Sequence, residues 1–135
     1  MIKIIVDSTC DINSDITDNY DIDVIPLSIT IDIDIDTVYK HMRDGKFPKT
    51  SQVSFESVSK TIEKCISNDD DFIYLAFSSK MSGTYNFAKK IIETYKVKNP
   101  GREMEIIDSK GGAGGTGLIV LQALRMIKKN LPFET

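Results

Sequence analysis

"DFIYLAFSSKMSGTYNFAKKIIETYKV", residues 71–97, changes period half-way, and that change decides the fold. Residues 71–77 hold an apolar run rich in branched and aromatic side chains, the reading of a strand covered on both faces. From 83 to 97 the spacing becomes helical. Phe87, Ile91, Ile92 and Tyr95 fall on one side, and Lys89, Lys90 and Glu93 on the other. A buried strand, a short polar loop and an amphipathic helix make one β–α unit.

The same pattern recurs on either side. "IKIIV" (2–6) is a continuous β-branched run, followed by a helix near Ser14, where "NSDITDNY" offers a cap and early acids. "DVIPLSIT" (23–30) reads as a second strand, with Pro26 implying an edge or a bulge. "FESVSKTIEKCI" (55–66) spaces Phe55, Val58, Ile62 and Ile66 as a helix does. "MEIID" (104–108) is a fourth strand, and "TGLIVLQALRMIKK" (116–129) a final helix. The order β, α, β, α, α, β, α, β, α predicts an α/β fold, a mainly parallel sheet with helices on both faces.

"ITIDIDIDTVYKHMRDGKFP" (29–48) is the ambiguous stretch. Period two runs from Leu27 through Ile29, Ile31, Ile33 and Ile35. From about Asp36 the spacing of Val38, Tyr39 and Met42 is helical, with Gly45 and Pro48 as the stop. Asp32, Asp34 and Asp36 invite a calcium loop, but Thr37 stands where that loop needs Gly and Arg43 where it needs its bidentate Glu. A solvated strand face followed by a helix cap is the better reading, and no metal site is expected.

The chain has 135 residues, enough for one domain with its own core, and is 41% hydrophobic and 27% charged. The net charge of −3, with no stripe of Lys and Arg, argues against nucleic acid as a partner. Lys128 and Lys129 read as the charged end of a helix. The first apolar run meets Asp7 too soon for a signal peptide or a spanning segment, so a cytoplasmic location without membrane insertion is expected. Cys10 and Cys65 have no metal-like spacing and read as free thiols.

In open α/β sheets ligands bind beyond the carboxyl ends of the strands. Four stretches of short hydroxyls and exposed amides point there: "DSTCD" (7–11), "KTSQVS" (49–54), "SSKMSGT" (78–84) and "DSKGGAGGTG" (108–117). Singly each is an ordinary helix cap; together they suit an anion or a strong acceptor. Catalytic groups are not evident. His41, the only histidine, falls mid-helix and is expected to be solvated, so no Ser-His-Asp arrangement assembles. "VDSTCD" has Thr9 where a phosphatase loop would have its second acid. "GGAGGTG" lacks the Gly-Lys-Ser/Thr of a nucleotide-hydrolase loop, fits G-x-G-x-x-G only loosely, and has no acid about twenty residues on. The pattern suits holding rather than cutting.

"VDSTCDI", "IPLSI", "FPKTSQVSFES", "IYLAFSSKMSGTYNFA" and "IIDSKGGAGGTGLIVLQAL" resemble, in order and rough spacing, the DegV family of bacterial fatty-acid-binding proteins. The resemblance implies a DegV-like amino-terminal α/β domain over 1–130, with 131–135 opening a linker towards a second domain that this chain lacks. It implies a long-chain fatty acid between the two domains as ligand, no other cofactor, and presentation of that acid to a separate fatty-acid kinase for phospholipid synthesis. Carried over by motif, the carboxylate would be held by Thr50 and Ser82. Ser51 and Gly83 would support them, and Asp7 and Asp108 would brace the loops by accepting amide hydrogens. The chain departs from the family at Val53 and Phe55, where relatives commonly have prolines, and at Lys80, where they have glycine. It is also short between Leu27 and Tyr39. Two other readings stay open: an enzyme acting on a phosphorylated small molecule at the same strand ends, and a degenerate scaffold that contacts only protein. Lacking the second domain, the chain is also expected to self-associate as a homo-oligomer.

Overall fold

In the computed structural model, which describes residues 1–29, 34–47 and 49–135, the four apolar runs pair side by side. β1 (Ile2–Asp7) lies between β2 (Ile22–Ile25) and β5 (Asp71–Ala76), and β6 (Met104–Asp108) adds beyond β5, every pairing parallel. The helices are α1 (Ser14–Asn19), α2 (Ile35–Arg43), α3 (Phe55–Ser67), α4 (Thr84–Lys98) and α5 (Ala113–Lys128). Ile5, Phe72 and Tyr74 pack under Val58 and Ile62 of α3 and Ala88, Ile91 and Ile92 of α4. Ile4, Val6 and Leu75 point the other way, against Val120 and Leu124 of α5 and Ile16 of α1. Consecutive residues of β1 thus enter two separate cores, which is why this strand shows no polar alternation. Each large side chain so buried contributes about 1.5–3 kcal/mol of transfer free energy.

The chain leaves β1 for β2 on one side and returns to β5 on the other, so the direction of winding reverses between β1 and β5. The carboxyl ends of these two strands are therefore the switch point of the sheet, where ligands bind in folds of this kind.

Residues 23–30 do not form one strand. Pro26 has no N–H to continue the parallel ladder, and the chain breaks there. β2 ends at Ile25, and β3 (Leu27–Ile29) leaves to pair antiparallel with β4 (Thr50–Val53) in a separate two-stranded sheet. Ser8 spans the break: its N–H donates to the Ile25 carbonyl and its Oγ accepts from the Leu27 N–H, each at 2.9 Å. The hydroxyl-rich segment 49–54, expected as a loop beyond the main sheet, therefore contains a strand of its own. The alternating stretch 30–33 with Asp32, and Pro48, lie outside the described residues.

Asp34 caps α2, accepting from the Thr37 N–H at 3.0 Å, and Gly45 follows the helix at φ +79°, a conformation glycine adopts freely. Three apolar residues read from helical spacing are solvent-facing: Tyr39 and Met42 on α2 are 52% and 50% exposed, and Phe55 at the start of α3 is 62% exposed. α5 begins inside the glycine run, three residues before the expected Thr116, and Gly117 sits against the loop after β1. On the α5 side, Ile73, Leu75 and Ile107 of the sheet and Ile119, Ala123 and Ile127 of α5 line a cleft of about 530 Å³ bordered by residues 131–135. The cleft shares no lining residue with the strand-end loops.

Candidate functional site

Asp7 ends β1 at 2% exposure. One carboxylate oxygen accepts from the Thr9 N–H at 3.0 Å and from the Thr9 hydroxyl, and the other faces the Tyr74 hydroxyl at 3.4 Å. Burial, and then the neighbouring Asp7 charge, push the Tyr74 phenol well above its ordinary value. Cys10, in the same loop, is pushed up to about 12 by burial first and by Asp7 and Asp11 second, so its thiol stays protonated.

Asp108 ends β6 in the same way. It accepts from the Ser79 hydroxyl and from the Ser79 and Lys110 N–H groups at 3.1 and 2.9 Å, and these bonds, the hydroxyl foremost, hold its carboxyl below the usual range. Ser109 Oγ lies 2.9 Å from Thr116 Oγ1, and the Ser109 N–H donates to the Ala76 carbonyl at 3.0 Å. The polar groups after β1 are thus engaged within their own loop, and those after β6 within theirs and with Ser79 of the loop after β5. Both carboxylates accept amide hydrogens.

The loop after β5 is built differently. Ser78 is 5% exposed, and its carbonyl accepts from the Met81 and Ser82 N–H groups, both at 3.0 Å, folding the loop back before α4. Ser82 Oγ accepts from the Thr84 N–H at 3.2 Å and donates to Thr84 Oγ1 at 3.1 Å, which puts this hydroxyl at the helix mouth. Gly83 is the N-cap of α4 and has no side chain of its own to cap it, so the Ser82 hydroxyl takes up the Thr84 N–H, and no acid stands in the first turn of the helix. Lys80 is exposed.

β4 comes up against this terminus. A Cβ added to Gly83 would lie 2.6 Å from Gln52 Oε1, so the TSQ strand and the SGT loop touch at these two residues. The backbone of Thr50 opens β4, while its side chain lies outside the described part of the molecule. Ser51 is exposed on the same strand. The structure therefore brings the segments of Thr50, Ser51, Ser82 and Gly83 together. Asp7 and Asp108 stand at the ends of their own strands, Asp7 engaged with its own loop and Asp108 with its own loop and with Ser79 of the loop after β5. Gln52 was not among the residues singled out from sequence, although it sits in the same TSQ triplet.

Among the described residues, no three His, Cys, Asp or Glu side chains cluster as metal ligands, and no helix is long and apolar enough to cross a membrane. Both cysteines are unpaired. His41 is half-buried rather than solvated, because α2 lays part of the ring against the protein; its Nδ1 has no hydrogen-bond partner among the described residues.

A family model described as "Uncharacterised protein, DegV family" matches residues 1–135. The chain belongs to the DegV family. A DegV domain-containing protein of Caldanaerobacter subterraneus is 37% identical over 134 residues, which cover 93% of this chain and 46% of that relative. Among solved structures, a stearic-acid-binding protein from Eubacterium ventriosum superposes with a TM-score of 0.88 at 29% identity, covering 99% of this chain and 50% of its own. A Thermotoga maritima protein whose structure revealed fatty acid binding gives 0.82 at 32%, covering 98% and 51%. The chain thus spans about half the length of the DegV relatives it matches.

Proposed function

We propose that this chain binds a long-chain fatty acid and holds its carboxylate between Thr50 and Ser82, where β4 meets the N-terminus of α4. The observation that supports the reading is the meeting itself: the TSQ and SGT segments, some thirty positions apart, touch through Gln52 and Gly83 at a helix N-terminus with no acid in its first turn. Hydroxyl and amide donors at a positive helix end stabilise a carboxylate without protonating it. In this reading Ser51 and Gly83 complete the cradle, and Asp7 and Asp108 fix the loops around it. The protein is a carrier rather than an enzyme, located in the cytoplasm, with no cofactor besides its lipid. It presents the acid to a fatty-acid kinase. A second domain, or a second copy of the chain, covers the acyl tail, and the exposed Phe55 and Met81 near the cradle are apolar surface for it to cover.

Native mass spectrometry of gently purified protein, followed by titration with oleate, tests this. A co-purified mass of fatty-acid size is expected. Ser82→Ala should weaken oleate binding by about 1–3 kcal/mol, the cost of leaving a desolvated acceptor without its donor. Equal affinity of variant and parent would overturn the reading, and tighter binding of a phosphate ester than of oleate would favour an enzyme at this site.

A further inference from the structure

Residues 39–49, "YKHMRDGKFPK", hold four of the chain's 17 Lys and Arg residues and one acid, a local charge of +3 in a chain of net −3. Lys40, Arg43, Lys46 and Lys49 are all exposed, and among the described residues none of Lys40, Arg43 and Lys46 pairs with an acid. Apolar side chains are interleaved with them. Tyr39 and Met42 are half exposed, and Phe47, at 89%, is the most exposed large apolar residue of the described chain. Tyr39, Met42 and Arg43 stand three and four positions apart and so share one flank of α2, while the buried Val38 holds the helix to the protein. The end of the helix shapes the rest. The Gly45 N–H donates to the Met42 carbonyl at 3.1 Å and the Lys46 N–H to the His41 carbonyl at 2.9 Å, which turns the chain just before Phe47. Cations in a last turn suit the negative end of a helix, and that accounts for Lys40 and Arg43. It does not account for Lys46 and Lys49 beyond the helix, nor for a phenylalanine left in water.

We infer that residues 39–49 dock this chain on an anionic lipid surface, Tyr39, Met42 and Phe47 entering the headgroup layer and the four cations facing lipid phosphates. Cations alone would suit any polyanion. Apolar side chains set among them gain free energy only where there is hydrocarbon to enter, and the two together are the pattern of a helix that lies in a membrane interface. The contact is peripheral, because α2 has nine residues and a spanning helix needs about twenty. Lys49 leads directly into β4, so a docked chain has the proposed carboxylate cradle beside the layer in which free fatty acids dissolve. The docking itself does not depend on that cradle.

Flotation with vesicles of phosphatidylglycerol or of phosphatidylcholine, both free of fatty acid, tests this separately from oleate binding. The parent is expected to float with phosphatidylglycerol, not with phosphatidylcholine, and to be released at about 1 M salt, where the Debye length is roughly 3 Å. Each cation near an anionic surface is worth about fivefold, so Lys40→Gln/Lys46→Gln should bind about 25-fold more weakly. Phe47→Ala should lose about tenfold. The matched control is Lys128→Gln/Lys129→Gln, the same change of charge at the exposed far end of α5, which should bind as the parent does. The chain has no Trp, so Phe47→Trp supplies a single reporter whose emission should shift to the blue with phosphatidylglycerol alone. All these positions are exposed, and melts of the variants are expected to overlay the parent. No flotation with phosphatidylglycerol at low salt would overturn the inference, as would equal loss in the Lys128/Lys129 control, which would make the effect one of net charge. A Phe47→Trp signal that answers to an acidic peptide and not to vesicles would overturn it in favour of an acidic protein partner.

Discussion

Gly117 offers a measurement in which two known effects separate cleanly. A Cβ at this position would lie 2.5 Å from the Asp11 carbonyl oxygen and 3.5 Å from its carbon, so helix or loop must move by most of an ångström. Neither moves freely, because the Asp11 N–H is bonded to the Ala113 carbonyl at 3.1 Å in the first turn of the same helix. Forcing a methyl group into such a contact costs about 1–3 kcal/mol. Against that, alanine gains up to about 1 kcal/mol over glycine as a helix residue. Gly114, in the same helix, has nothing within 4 Å of its would-be Cβ, so Gly114→Ala takes the propensity gain without the clash. Gly117→Ala should therefore be less stable than Gly114→Ala by about 1–3 kcal/mol, a gap of roughly 4–12 °C in melting temperature for a chain of this size. Scanning calorimetry with matched urea melts reads both numbers. If the two variants melt together, the packing of α5 on the loop after β1 is not what keeps position 117 bare.

The Asp108 carboxyl is held below its ordinary value, so its contribution to stability is fully present above about pH 4 and is lost as the pH falls through the lowered value. Melting temperature followed from pH 6 to pH 2 should show that loss, and Asp108→Asn should remove it; identical acid limbs would contradict the bracing role. Burial pushes Cys10 up to about 12 and Cys65 up to about 11. Iodoacetamide at pH 8 should therefore label neither until urea unfolds the protein, and rapid labelling of the native protein would show the thiols to be more open than described. Ser8→Ala should cost about 1 kcal/mol, since the Leu27 N–H loses its 2.9 Å acceptor beside a proline that supplies no alternative. A urea melt unchanged from the parent would mean that water replaces the hydroxyl.

The parallel sheet was legible because burial on both faces leaves a direct trace: residues 2–6 and 72–76 have almost no polar interruption, and nothing but a strand between two layers of helices needs that. The second strand was misread for an equally local reason. Period two continues across Pro26, and a pattern of alternation cannot tell which partner a strand takes on either side of a break. β4 was hidden because Thr50, Ser51 and Gln52 are polar and the pair it forms with β3 is short, so hydroxyl content read as loop. Phe55 and Tyr39 show the limit of helical spacing, which gives a face but not whether anything covers it. The segments of the candidate site were named by motif, yet Gln52 was missed, because its relevance depends on a contact with Gly83 that only the folded chain creates.

The strand order also has a consequence for synthesis. β1 emerges first from the ribosome, but of its two neighbours only β2 follows soon; β5 is complete only when Ala76 has been made. Until then Ile4, Ile5 and Val6 lack one flank, and the switch point between β1 and β5 does not exist, since its two strands have not yet met. Non-local parallel pairing of this kind is slow to form. A nascent chain stalled before residue 71 should thus be protease-sensitive, and resistance should appear only once α4, β6 and α5 have also been made and cover both faces of the central pair of strands.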